Sequence, residues 1–234
     1  MKKISILGLA CLAVGSMSAQ MQVVKDVEHQ LKGDVTSYPK AIETLTPAFT
    51  NPESANQAQT WYVAGKGAID FVNNAAAMQR VTGELNAPQA AQFVLDGFDY
   101  LQKALPLDSV VDAKGKVKTK YSKDIIKLIV NNYPLTADAG QWFYNDARDY
   151  PKAAQAWTLF INLPKYERFA KAGLKAHPDT IVGMYEFYTG CAYSLANDPA
   201  PALNSFLEAI KLGYDKKEAY DYAITSATQM KDLA

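Results

Sequence analysis

Several short patterns carry residue types that could do chemistry. Ser37-Tyr38-Pro39-Lys40 spells S-x-x-K, the serine–lysine pair that penicillin-binding enzymes use for nucleophilic attack. The companion elements are missing: no Ser-Asp-Asn occurs, and Lys118-Thr119-Lys120 lacks the required glycine. Ser37 also precedes an apolar helical run, where serine serves as an N-cap. Gly65-Lys66-Gly67 lacks the surrounding glycines and the hydroxyl of a phosphate loop, and it interrupts a helical pattern instead of preceding one. His29 and His177 have no metal-ligand spacing and no cysteine ligand near them, so both read as exposed helix or loop residues. Cys191, beside Gly190, has no partner at metal or redox spacing and reads as a small buried residue. The carboxylates Asp96, Asp99, Asp146, Asp149, Asp215 and Asp221 are scattered, and solvated helix faces account for them. No catalytic residue, metal or cofactor is expected.

Composition bounds what else the chain can be. Its 234 residues are 49% hydrophobic and 21% charged, too apolar for a disordered segment. With 24 Lys plus Arg against 24 Asp plus Glu, it lacks the positive excess that phosphate neutralisation needs, so a nucleic-acid partner is excluded. Residues 1–20 read as a signal peptide: Lys2 and Lys3, then the apolar run Ile4 to Val14, then the small residues Gly15, Ser16, Ser18 and Ala19. Cleavage is expected after Ser18, Ala19 or Gln20. The run is shorter than the ~20 apolar residues of a membrane span. Cys11 does not make it a lipoprotein leader, because Gly8 stands where such signals want leucine. Removing Lys2 and Lys3 leaves 22 basic against 24 acidic residues, a net charge of −2. Cys191 is then the single cysteine, so no intrachain disulfide can form. An exported, soluble protein of a Gram-negative envelope is expected.

The elements that position these residues are helices. Between Pro201 and Leu212, Ala202, Leu203, Phe206, Leu207, Ala209 and Ile210 recur at three- and four-residue steps. Gly213 then reads as a C-terminal cap, Asp215 with Glu218 as a capping box, and Asp198-Pro199 as a helix start. Tyr38-Pro39-Lys40-Ala41 recurs letter for letter as Tyr150-Pro151-Lys152-Ala153, and each copy opens an apolar helical run. One helical hairpin is used more than once.

These units resemble the tetratricopeptide repeat (TPR), with Gly190, Tyr193, Ala202, Phe206 and Ala209 as the clearest match. A second unit has Tyr144, Tyr150, Ala153 and Trp157, with Gln141 where glycine is expected. A third has Trp61, Ala64, Gly65 and Ala68. The first hairpin matches through Tyr38, Ala41, Leu45 and Ala48 of its second helix. The resemblance implies an all-α superhelix, a right-handed solenoid of antiparallel hairpins over residues 21–234. It also implies a groove lined by the first helix of each hairpin, which binds peptides or partner proteins. The groove candidates are Gln59, Tyr62, Lys66 and Asp70, then Trp142, Asn145 and Asp146, then Phe187, Cys191 and Ser194. For Trp142 and Phe187 a place in the core is the competing reading.

Insertions break the strict period. Residues 106–121 read as a short β-hairpin or ordered loop turning at Ala113 to Gly115. Its alternating lysines Lys114, Lys116, Lys118 and Lys120 fit a basic contact patch or a solubilising edge. Pro134 should kink or restart a helix. Phe169, Ala172 and Leu174 belong to a short extra helix between Pro164 and Pro178. A last helix from Asp215 to Met230 packs through Ala219, Tyr220, Ala223 and Ala227, with Tyr222 and Ile224 pointing elsewhere; it either caps the array or docks another chain. The function expected is a non-catalytic scaffold for proteins or peptides in the periplasm or at the outer membrane. The alternative is a module that binds glycan or another small ligand.

Overall fold

The periodic apolar runs fold as helices. A computed structural model describes residues 5–111, 115 and 117–232, and there the chain is all-α apart from one ladder of two residues on each side. Lys2, Lys3, Asp112, Ala113, Lys114 and Lys116, and with them most of the expected turn, lie outside the described residues. Contacts divide the chain into two compact units, Met1–Leu85 with Asp96–Leu128, and Asn86–Leu95 with Ile129–Ala234. The divisions fall inside helices α5 (Ala87–Leu107) and α6 (Ser122–Asn132) when the helices are numbered along the chain. No helix among the described residues is long and apolar enough to cross a membrane.

The first unit contains α1 (Ser5–Gly33), α2 (Tyr38–Thr50), α3 (Pro52–Ala55) and α4 (Ala58–Thr82). Tyr38, Ala41, Leu45 and Ala48 form the buried stripe of α2. Ser37 occupies the residue before that helix, yet its hydroxyl caps nothing and donates to the Asp34 carbonyl at 2.7 Å. The capping carboxylate is Asp34, which accepts from the Thr36 N–H at 3.0 Å and opens a 3-10 turn at Val35–Ser37. Between Tyr62 and Ile69 every residue of α4 but Lys66 is buried, as befits a helix packed on both sides. The two glycines around Lys66 explain how. A Cβ on Gly65 would lie 2.7 Å from Leu101 of α5, and one on Gly67 would lie 2.8 Å from Leu31 and Tyr38. Gly-Lys-Gly is therefore a pair of helix contacts.

Residues after α5 leave the helical pattern. β1 (Val110–Val111) pairs antiparallel with β2 (Val117–Lys118), Val110 opposite Lys118 and Val111 opposite Val117. Asp108, 4% exposed, closes the segment. Its carboxylate accepts from the N–H groups of Lys120, Tyr121 and Ser122 at 3.1, 2.8 and 2.6 Å, and from the Ser122 hydroxyl at 2.7 Å. Burial opposes the charged form, but these bonds outweigh it and hold the carboxyl below its ordinary range.

The second unit contains α7 (Leu135–Trp142), a π turn (Phe143–Ala147), α8 (Tyr150–Asn162) and α9 (Glu167–Lys171). It ends with α10 (Asp179–Leu195), α11 (Pro199–Lys211) and α12 (Lys217–Asp232). Two hairpins here share one construction. A Cβ on Gly140 of α7 would lie 2.2 Å from Trp157 of α8, and one on Gly190 of α10 would lie 2.6 Å from Phe206 of α11. Each hairpin turns through a left-handed residue, Arg148 or Asn197, before an aspartate, Asp149 or Asp198. The Asp198 N–H bonds to the Tyr193 carbonyl, five residues back, whereas the Asp149 N–H bonds to the Phe143 carbonyl, six residues back. The π turn takes up that extra residue. It also shifts the expected motif: the close-approach glycine is Gly140, and Gln141 is one place past it.

Some local expectations change. Helix α12 starts at Lys217, and Asp215 accepts from the Tyr220 hydroxyl at 3.3 Å. Tyr220, expected on the packed face, is exposed, as are Tyr222 and Ile224; the Tyr222 ring still meets Phe187 and Phe206, and Ala219, Ala223 and Ser226 face inward. Phe169 and Leu174 are buried, but α9 ends before Ala172, which is exposed. Gly213, at φ +86°, ends α11 with the Tyr214 N–H bonded to Ala209, the bond pattern of a Schellman cap.

Candidate functional site

The second unit holds a cleft of about 360 Å³ between α7 and α10, at the small end of ligand-pocket sizes. Four-residue steps along α7 place Ala137 and Gln141 on it, and the π turn adds Tyr144 and Asn145. From α10 come Tyr185, Phe187, Tyr188 and Cys191. Trp157 of α8 completes the lining, its indole N–H donating to the Ala137 carbonyl at 3.2 Å.

The rings touch each other in sequence. Tyr144 lies 5.6 Å from Trp157, Trp157 lies 5.7 Å from Tyr188, and Tyr185 meets Tyr188 edge-on at 5.9 Å, all spacings of paired aromatics. No lining side chain carries a charge at neutral pH. Burial raises the pKa values of Tyr144 and Tyr185, with smaller contributions from Cys191 and Asp138 respectively. Burial alone pushes the Cys191 thiol up to about 11, which makes it a poor nucleophile. Among the described residues, the amides of Gln141 and Asn145 make no hydrogen bond within the chain. The lining is thus five aromatic rings with two solvent-exposed amides beside them.

The groove residues expected from the sequence sort into two groups. Asn145 and Phe187 line the cleft, as does Cys191. Trp142, half-buried, and Asp146, exposed, lie outside its lining, as does Ser194. In the first unit Tyr62, Lys66 and Asp70 line a depression of about 70 Å³ with Glu28, and Gln59 joins through Glu28. Their polar atoms are already engaged. Tyr62 donates to Asp124, Lys66 pairs with Asp70, and Gln59 and Lys32 both donate to Glu28 at 2.7 Å. Burial, then the Asp124 carboxylate, raise the Tyr62 pKa. Burial pushes Glu28 upward, but its bonds from Lys32 and Gln59 prevail and hold it below the ordinary range.

Tyr144, Trp157, Tyr185, Tyr188 and Gln141 are cleft residues that the sequence reading did not select. The i, i+3 spacing of Tyr185, Tyr188 and Cys191 could have found the α10 face, but nothing in the letters marks a π turn. His29 is exposed. His177 is half-buried, its ring 4.3 Å from that of Phe160 and 5.7 Å from Tyr133, so the reading of it as exposed is corrected. Burial lowers its pKa, partly opposed by a hydrogen bond with the Phe160 backbone. No group of three or more His, Cys, Asp or Glu side chains among the described residues could hold a metal. Several of the scattered carboxylates have local duties: Asp99 pairs with Lys103, Asp221 with Lys217, and Asp149 with Lys152. No profile of a known protein family matches the chain, and no curated protein matches it.

Proposed function

We propose that the chain is a non-catalytic TPR-like scaffold of the cell envelope that holds a peptide segment of a partner protein in the α7–α10 cleft. The observation that carries this reading is the position of that cleft. It lies between the first helices of two hairpins with the same glycine–aromatic contact, Gly140–Trp157 and Gly190–Phe206. That is where the resembled family places its groove. Tyrosine and tryptophan give large contact area with few rotors, which suits peptide recognition. The superhelical course, the signal peptide at 1–20 and the periplasmic or outer-membrane location belong to the same proposal. The ladder between Val110–Val111 and Val117–Lys118 supports a β-hairpin within the 106–121 insertion.

A second reading, a site for glycan or another small ligand, is favoured by the free amides of Gln141 and Asn145 beside exposed ring faces. Peptide display on the purified chain and a glycan array separate the two. The scaffold reading expects selected peptides whose binding is lost in Tyr188→Ala, the 38%-exposed ring of the cleft. Glycan binding lost in the same variant, with no peptide selected, would replace it.

A further inference from the structure

We infer that the side chain seated in the α7–α10 cleft is an arginine of the bound peptide; the inference rests on the peptide reading above. Five of the nine lining residues are aromatic, and none is Lys, Arg or His. Aromatic faces carry the negative end of a quadrupole and attract a cation placed over them. Gln141 and Asn145 offer carbonyl oxygens with no acceptor duty inside the chain. An acid would meet no cationic side chain and no helix start there, only the amide N–H groups of Gln141 and Asn145.

Charge at the edge of the cleft points the same way. Asp138 follows Ala137 on α7 and acts on the lining ring of Tyr185. Asp138 is exposed, and among the described residues it has neither an ion pair nor a side-chain hydrogen bond. A carboxylate without a counter-ion beside uncharged rings and amide oxygens is complementary to a cation. Arginine fits better than lysine, because its flat guanidinium stacks on rings, is weakly hydrated and donates in several directions at once. A cleft of about 360 Å³ has space for a side chain of that kind.

The test is a titration of the full chain with acetyl-Gly-Arg-Gly-amide and with the citrulline, lysine and glutamate versions, followed by NMR at the Trp157 indole N–H. Citrulline keeps the shape of arginine and removes the charge. The arginine peptide should bind about tenfold more tightly than the citrulline one, with glutamate weakest. Asp138→Asn should shrink the arginine-to-citrulline ratio several-fold, with the affinity of the citrulline peptide unchanged. Equal affinity for arginine and citrulline would overturn the arginine assignment and leave the peptide reading standing. No response at Trp157 to any of the four peptides would overturn both.

Discussion

Tyr62 in the first unit and Tyr188 in the second are both tyrosines on long helices; the sequence pattern points to a partner-binding groove at the first and not at the second. They differ in what their surroundings have left over. Around Tyr62 the polar groups satisfy one another: its hydroxyl is bound by Asp124, Lys66 by Asp70, and Gln59 by Glu28. Around Tyr188 the rings are packed side by side, and the amides of Gln141 and Asn145 remain unspent. A polar cluster whose bonds close internally fixes helices to each other. One whose bonds stay open has capacity for a ligand, since a partner must replace only water.

This difference can be broken from either side. The largest effect is expected for Gly140→Val, whose side chain would enter the space of the Trp157 indole. Overpacking of this kind costs about 3 kcal/mol, so urea denaturation should show a strongly destabilised chain and the cleft should be lost. Asp108→Ala strikes the first unit, removing the acceptor of four part-buried hydrogen bonds, three of them from backbone N–H groups. About 2 kcal/mol should be lost, with peptide binding intact. Asp108 also sets a pH dependence. Its folded pKa is depressed, so its contribution is present above the unfolded value of about 3.9 and disappears as pH falls through the lower folded value. Native chain and Asp108→Asn should therefore begin to converge as pH falls below about 4 and meet below the folded value, and a gap that stayed constant through that fall would deny Asp108 that role.

Smaller effects separate the two tyrosines. Tyr62→Phe should cost about 1 kcal/mol in the same denaturation, because Asp124 loses its donor, and should leave binding unchanged. Tyr188→Ala should shift stability by less than about 0.5 kcal/mol, since its ring is partly exposed, and should act on binding. Lys66→Gln is expected to be the mildest, within about 0.5 kcal/mol, because its ion pair with Asp70 is half open to water.

What the sequence made legible follows from which forces are local. Helical periodicity is a local property of the chain, and the all-α class was readable from runs such as Ala202, Phe206 and Ala209, all buried on one face. The stripe Tyr38, Ala41, Leu45 and Ala48 was likewise visible as a packed face. The helix restart at Pro134 followed from a missing N–H, and α7 begins at the next residue. Capping was less legible: Ser37 has the right residue type, but Asp34 accepts the cap bond and Ser37 turns to the Asp34 carbonyl. Asp108 gave no signal at all, because its donors arrive from 12 to 14 residues later, through a folded insertion.

The cleft was half legible for a related reason. Helical spacing brings Phe187 and Cys191 to one face. On the other side Ala137, Gln141, Tyr144 and Asn145 keep i, i+4, i+7, i+8 spacing and line the cleft, whereas Trp142 and Asp146, each one position past a lining residue, lie outside it. His177 was misjudged because its neighbours, Tyr133 and Phe160, come from distant parts of the sequence.

The central claim is that the second unit binds and the polar cluster of the first unit is structural. The most direct measurement is the affinity of one display-selected peptide for the native chain, Tyr188→Ala and Tyr62→Phe, each verified as folded. Tyr188→Ala should weaken binding at least about tenfold while Tyr62→Phe stays within about twofold of native. A large loss in Tyr62→Phe with Tyr188→Ala unchanged would contradict the account and move the site to the first unit.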